Sequence, residues 1–242
     1  MAVTLVSATA ITGVKGVTTV TSGAIAVLAG DIAVVCGIGT NATLTSIVCT
    51  DSQSNTYTNN QFNLTSNGRG VLGYATMASS GSPTFSVTTN ASSSIAEIVY
   101  ILRGGTLTGA VASTQANAST STNPAIVSGT ANVGDAIIAF VGANGPAGDT
   151  FADDVDTFNG SWTASTVSGT TSGSATSNAT AHGQSKIQTT ASSTQTYNPI
   201  LGTARLWMDG IIVVPAAAGA ALPPKRPVIV GNSAAIQRAN NW

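Results

Sequence analysis

Short apolar or alternating runs recur about every ten residues along the 242-residue chain, with Gly, Asn, Ser and Asp between them. Thr43-Leu44-Thr45-Ser46-Ile47-Val48 and Thr84-Phe85-Ser86-Val87-Thr88 alternate with the period of a half-buried strand. Residues 95–102 and 211–214 are nearly continuous apolar runs, as in strands covered on both faces. Residues 3–8 also read as a strand with a turn after it. The pattern predicts an all-β protein of antiparallel sandwich type, Ig-like or jelly-roll-like.

The runs fall into two similar halves. Gly30-Asp31-Ile32-Ala33-Val34-Val35 matches Gly134-Asp135-Ala136-Ile137-Ile138-Ala139 at a spacing of 104. Asp51-Ser52-Gln53-Ser54-Asn55-Thr56-Tyr57-Thr58 matches Asp156-Thr157-Phe158-Asn159-Gly160-Ser161-Trp162-Thr163 at 105. Ala78-Ser79-Ser80 matches Ala191-Ser192-Ser193, and Ile98-Val99-Tyr100-Ile101 matches Ile211-Ile212-Val213-Val214, both at 113. Gly-Asp before an apolar run reads as a turn feeding a buried strand, and Ser54-Asn55 or Asn159-Gly160 as a hairpin bend. Tyr57 and Trp162 are expected to close one end of each core. The change of spacing requires an insertion, placed in the Ser-, Thr-, Gly- and Ala-rich residues 164–186. The organisation expected is a first β-sandwich over residues 1–105, a duplicate over 106–215, and an extended basic arm over 216–242.

Composition supports strands over helices, with 36 Thr, 27 Ser, 17 Asn and 26 Gly. Only 7% of residues are charged and the net charge is -1, which argues against a cationic nucleic-acid binder. The 43% hydrophobic content excludes the charge-rich disordered class. The start, MAVTLVSATAITGVKG, has no early Lys or Arg and is interrupted by Ser7 and Thr9, so it reads as a strand and not as a secretory signal. Residues 24–38 carry Asp31 and are too short and broken to span a bilayer, so no membrane partner is expected. Cys36 and Cys49 read as two small buried thiols, with a cross-strand disulfide as the alternative.

Candidates for chemistry are few. The single His182 lies in the polar segment and reads as a surface-loop residue. Glu97 reads as a structural group at a sheet edge, or paired with Arg103 or Arg205. Asp149, Asp153, Asp154 and Asp156 lack both the spacing of a calcium loop and a bidentate Glu, and read as turn residues. Neither Gly-x-Ser-x-Gly in a strand-helix setting nor a phosphate loop occurs. No catalytic residue, cofactor or metal is therefore expected.

The last segment differs from the rest. Residues 216–242 hold Lys225, Arg226 and Arg238 and no acidic group, net +3, whereas residues 1–214 hold five basic and nine acidic groups, net -4. Pro223-Pro224 and Pro227 favour an extended course. The segment reads as an assembly arm carrying Lys225, Arg226, Pro227, Val228 and Arg238, with Trp242 as its anchor on a partner chain. The alternative is an arm folded back on its own acidic body.

The Gly30-Asp31 strand followed by Thr50-Asp51-Ser52-Gln53-Ser54-Asn55-Thr56-Tyr57-Thr58 resembles a pattern common in tailed-bacteriophage virion proteins. There, Gly-Asp-hydrophobic strands precede Asp-x-x-Gly-Asn-Thr-Trp-Thr turns in charge-poor chains built of β-sandwich repeats. Ser54 stands here for the usual Gly and Tyr57 for the usual Trp, and the arm is not part of the pattern. The resemblance implies a non-enzymatic virion protein, tail-associated or capsid-decorating. Its expected partners are copies of itself and other virion proteins. The alternative is an adhesive module that binds a host-surface glycan through Tyr57, Trp162 and Trp207.

Overall fold

The computed structural model describes residues 2–64, 67–117, 119–172 and 174–218. The first half supplies β1 (Thr4–Thr21), β2 (Ile32–Thr40), β3 (Ile47–Asp51), β4 (Thr58–Asn63), β5 (Arg69–Thr76) and β6 (Phe85–Arg103). They form one antiparallel sheet in the order β1-β6-β2-β5-β4, with β3 alongside the first part of β6. The second half supplies β7 (Val111–Ala116), β8 (Ile126–Val127), β9 (Ala136–Ala143), β10 (Phe151–Ala152) and β11 (Thr166–Gly169). It continues with β12 (Thr180–Ile187), β13 (Thr196–Tyr197), β14 (Ile200–Leu201) and β15 (Trp207–Val214). Five of these make a sheet in the order β7-β15-β9-β12-β11, while β8 pairs with β13 and β10 with β14. A three-residue 3-10 turn, Ala175–Ser177, is the one helical element among the described residues. The chain is thus all-β and antiparallel, as its periodicity implies.

The two large sheets have the same strand order, β7, β15, β9, β12 and β11 standing where β1, β6, β2, β5 and β4 stand in the first. The turns repeat with them. Gly30 and Gly134 both take positive φ, +88° and +92°, ahead of the central strand. Asp31 accepts the Leu28 N–H and Asp135 the Asn132 N–H, each at 2.8 Å, closing the same turn. Ser54 (φ 59°) and Asn159 (φ 56°), 105 residues apart, are the non-glycine left-handed residues among those described. A further pair was not read from the sequence. Ser22 and Ser128, each before a Gly, accept a backbone N–H from Phe85 and Gln195.

The ladders correct the last spacing. Ile32 lies opposite Leu102 and Ala136 opposite Val214, so the offset of β15 from β6 is 214 - 102 = 112 and not 113. At 113 Leu102 would fall on Pro215, which has no N–H for the ladder. The segment 164–186 is also not a loop, since it contains β11 and most of β12. The main insertion sits in the hairpin between them. Asn63 opposite Arg69 corresponds to Gly169 opposite Thr180, offsets of 106 and 111. Of the alternating run 43–48, only Ile47 and Val48 enter a strand.

Alternation along the central strands builds two kinds of core. Val34, Cys36, Ile38, Ile98, Tyr100 and Leu102 of the first sheet pack against Ile138, Phe140, Met208, Ile212 and Val214 of the second. This inner core belongs to both halves. The opposite faces carry separate outer cores, with Val35, Ile47, Cys49, Val87 and Val99 in the first half. The second has Ile137, Val141, Trp162, Tyr197 and Trp207. Edge strand β1 lies against β11 and β4 against β7, so the alike halves face each other about a pseudo-twofold axis. Close approach requires missing side chains: a Cβ on Gly142 would stand 3.1 Å from Ile38 of the facing sheet. The Ser168 hydroxyl ties the sheets at one edge, donating to the Ile11 carbonyl and accepting the Glu97 N–H at 3.1 Å.

Both thiols are free and buried, Cys36 in the inner core and Cys49 in the outer core of the first half. They project from different faces of the sheet, and burial raises both above the ordinary thiol range. Ellman's reagent is expected to leave the native protein unlabelled and to titrate two thiols in guanidinium; rapid labelling of the native state would contradict this packing.

Candidate interaction surface

The outer face of the second half is framed by β10 and β14, where Phe151 faces Leu201 and Ala152 faces Ile200. The chain then turns through residues 153–160, and the carboxylates here bind turn amides. Asp153 accepts the Ser165 N–H at 3.0 Å, Asp154 accepts those of Asp156 and Asn198, and Asp156 accepts that of Phe158. Asp149 pairs with Arg205 at 2.7 Å. The turn duties of Asp153, Asp154 and Asp156 are those the sequence suggests, whereas the pairing of Asp149 with Arg205 is not read there; no three His, Cys, Asp or Glu converge on a metal-sized site among the described residues.

Beneath the turn lies Lys186, fully buried on β12. Its Nζ stands 3.1 Å from Asp156, 2.8 Å from Gln195 and 5.4 Å from the Trp162 ring centroid. An ammonium taken out of water needs such partners, and here a carboxylate, an amide oxygen and a ring face supply them. The Phe158 amide and Lys186 together hold the Asp156 carboxyl below its usual range. Above this anchored layer three apolar side chains stand in solvent: Val155 is 84% exposed, Phe158 62% and Ile200 53%. Two grooves of about 490 and 470 Å³ run between them and share Asp156 and Asn198.

His182 is not on the surface. It is buried on β12 with its ring stacked on Phe151 at 3.7 Å and 10°. Burial depresses its pKa to about 4, leaving the imidazole neutral at physiological pH. The misplacement has a physical origin. Ala181, Gly183 and Ser185 alternate with His182 toward the inner face, where Tyr100 and Ile98 press on Gly183. A strand that must be small on one side reads as a loop.

Glu97 is neither at an edge nor paired. Arg103 binds Asp31 and Arg205 binds Asp149, while both Glu97 carboxyl oxygens lie buried with no hydrogen-bond partner among the described residues. Asp209, which the sequence reading passed over, is its counterpart. Glu97 faces Gly37 on β2 and Asp209 faces Val141 on β9, positions 104 apart on the partner strand and 112 apart on their own. Asp209 is equally buried and unpartnered. Burial pushes Glu97 up to about 9 and Asp209 up to about 7. The signal available was a lone acid inside each copy of the same apolar strand.

The aromatic rings proposed as sugar platforms lie inward. Trp162 and Trp207 are buried, Trp207 donating its Nε1–H to Ser121 at 2.7 Å, and Tyr57 is half-buried with its hydroxyl enclosed. A separate hydroxyl- and amide-lined cleft of about 350 Å³ lies beside Lys15, Asn41 and Ser93, and Lys15 itself is held by the Ser172 carbonyl and the Ser177 hydroxyl. The arm residues Lys225, Arg226, Pro227, Val228, Arg238 and Trp242 lie outside the described residues. Comparison with protein-family models, with curated proteins and with solved structures returns no match.

Proposed function

We propose that the protein is a non-enzymatic structural subunit of a bacteriophage virion, tail-associated or capsid-decorating, that assembles with copies of itself and with other virion proteins. The observation that carries this reading is that the scaffold itself engages every Lys and Arg of residues 1–214. Lys15 and Arg69 bind backbone carbonyls, while Arg103, Lys186 and Arg205 bind aspartates. The one histidine is neutral and stacked in the core. What remains outside is a hydroxyl-rich surface on a duplicated block stiffened by its inner core, which suits a particle component better than a catalyst. The inward rings weigh against the glycan-binding alternative.

The arm is the expected connector. The body ends later than Pro215, because the Ala216 N–H donates to Asp135, the Ala217 N–H to Gly104, and the Pro215 carbonyl accepts from Thr106. A deletion after Ala218 is therefore expected to keep the unfolding midpoint of the full chain while light scattering shows an oligomer reduced to monomer. Full chain and deletion with the same mass would remove the arm from assembly. Absence of the polypeptide from purified particles would remove the virion role.

A further inference from the structure

We infer that the groove around Asp156, on the outer face of the second half, seats residues 219–242 of a neighbouring copy. This rests on the assembly reading above and names the surface it leaves open.

The internal duplication provides a control within the chain. At the spacing of 105, Val155 corresponds to Thr50 and Phe158 to Gln53. Both copies make the same turn, with Asp51 or Asp156 accepting an amide two residues on, Gln53 and Phe158 respectively, and Ser54 or Asn159 left-handed. The turn folds with Thr and Gln, so it does not require the exposed Val and Phe. An apolar pair displayed in one copy only, beside the exposed Ile200, marks a contact surface and not a folding requirement.

The occupant is argued from charge and reach. Asp153 and Asp156 line the groove, whereas residues 219–242 contain Lys225, Arg226 and Arg238 and no acid. The same segment carries Val228, Ile229, Val230 and Trp242 to meet the apolar side chains. Residue 217 is fixed by its bond to Gly104, and the 24 residues of 219–242 extend up to about 80 Å, enough to reach another molecule. Pro223-Pro224 and Pro227 favour an extended exit over a reversal onto the same body.

The test uses the full chain with p-benzoylphenylalanine in place of Val228, irradiated as a mixture of isotopically light and heavy protein. Light–heavy cross-links to residues 153–160 or 194–200 are expected. Val155→Thr with Phe158→Gln, which installs the first half's own residues, is expected to abolish them. It should also weaken self-association about tenfold or more. Cross-links confined to single chains would overturn the inference in favour of a folded-back arm. Cross-links elsewhere, with self-association intact in the double variant, would overturn the surface while leaving assembly through the arm standing. A chain that is monomeric and uncross-linked at all concentrations would overturn both.

Discussion

Glu97→Gln combined with Asp209→Asn is expected to match the parent protein in stability at pH 4 and to exceed it by several kcal/mol at pH 9. Each acid keeps its proton in the fold to a higher pH than in the unfolded chain, near 9 for Glu97 and near 7 for Asp209. Between the ordinary carboxyl range and those values the unfolded chain binds fewer protons, so stability falls as pH rises. The slope is about 1.4 kcal/mol per pH unit for each group. The loss contributed by Asp209 is complete above about 7 and that of Glu97 above about 9. Cys49 and Tyr57 lie near Glu97, and Tyr197 near Asp209, and among the described residues every Lys and Arg is engaged elsewhere, so none of these relieves either carboxylate. The amides remove the titration without changing shape. Denaturant unfolding from pH 4 to 10 at constant ionic strength reads the effect directly, and parallel profiles for variant and parent would refute it.

The second large effect concerns the inner core. Phe140, in the second half, is fully buried with its ring 5.9 Å from that of Phe62 in the first. Phe140→Ala should cost about 3–5 kcal/mol through lost burial and the cavity left behind. It should lower the stability of both halves together. Trp162 and Trp207 report on the second half, and protection of Cys36 and Cys49 reports on the first. In parent and variant alike, tryptophan fluorescence and thiol exposure are expected to change at one midpoint. Two separate midpoints, with the thiols unaffected by the substitution, would mean that the inner core does not couple the halves.

How much of this was legible beforehand depends on what each residue type encodes. Gly30-Asp31 and Gly134-Asp135 announce their turns because positive φ and an Asp-closed bend leave few alternatives, and Ser54 and Asn159 are found left-handed at the bend positions read from sequence. Residues 180–187 were misread because their inner face is Ala181, Gly183 and Ser185, a composition shared by loops and by strands under a bulky neighbour. The spacing of 113 came from Ser-Ser and Ile-Val runs that tolerate a one-residue slip; the ladder opposite Ala136 resolves the second run, and the bridges Val27–Gly81 and Ala131–Ser193 the first, both at 112. Strands apolar on both faces also do not say which face meets the other half, so the shared inner core was not readable from periodicity. Phe158 and Val155 were visible as letters, but their exposure was not.

The departure from pseudo-twofold symmetry at Val155 and Phe158 gives the molecule a direction. Two alike halves with alike surfaces would present every contact twice, so a self-complementary patch would link each copy to two neighbours. If the arm of another molecule fills a seat present on one half only, as inferred above, donor and acceptor are different surfaces carried by every subunit, exchanged reciprocally between two copies or passed head to tail. Such a contact places no demand for an even number of subunits; the rotation from one copy to the next decides whether the chain of contacts shuts as a ring or continues as a filament.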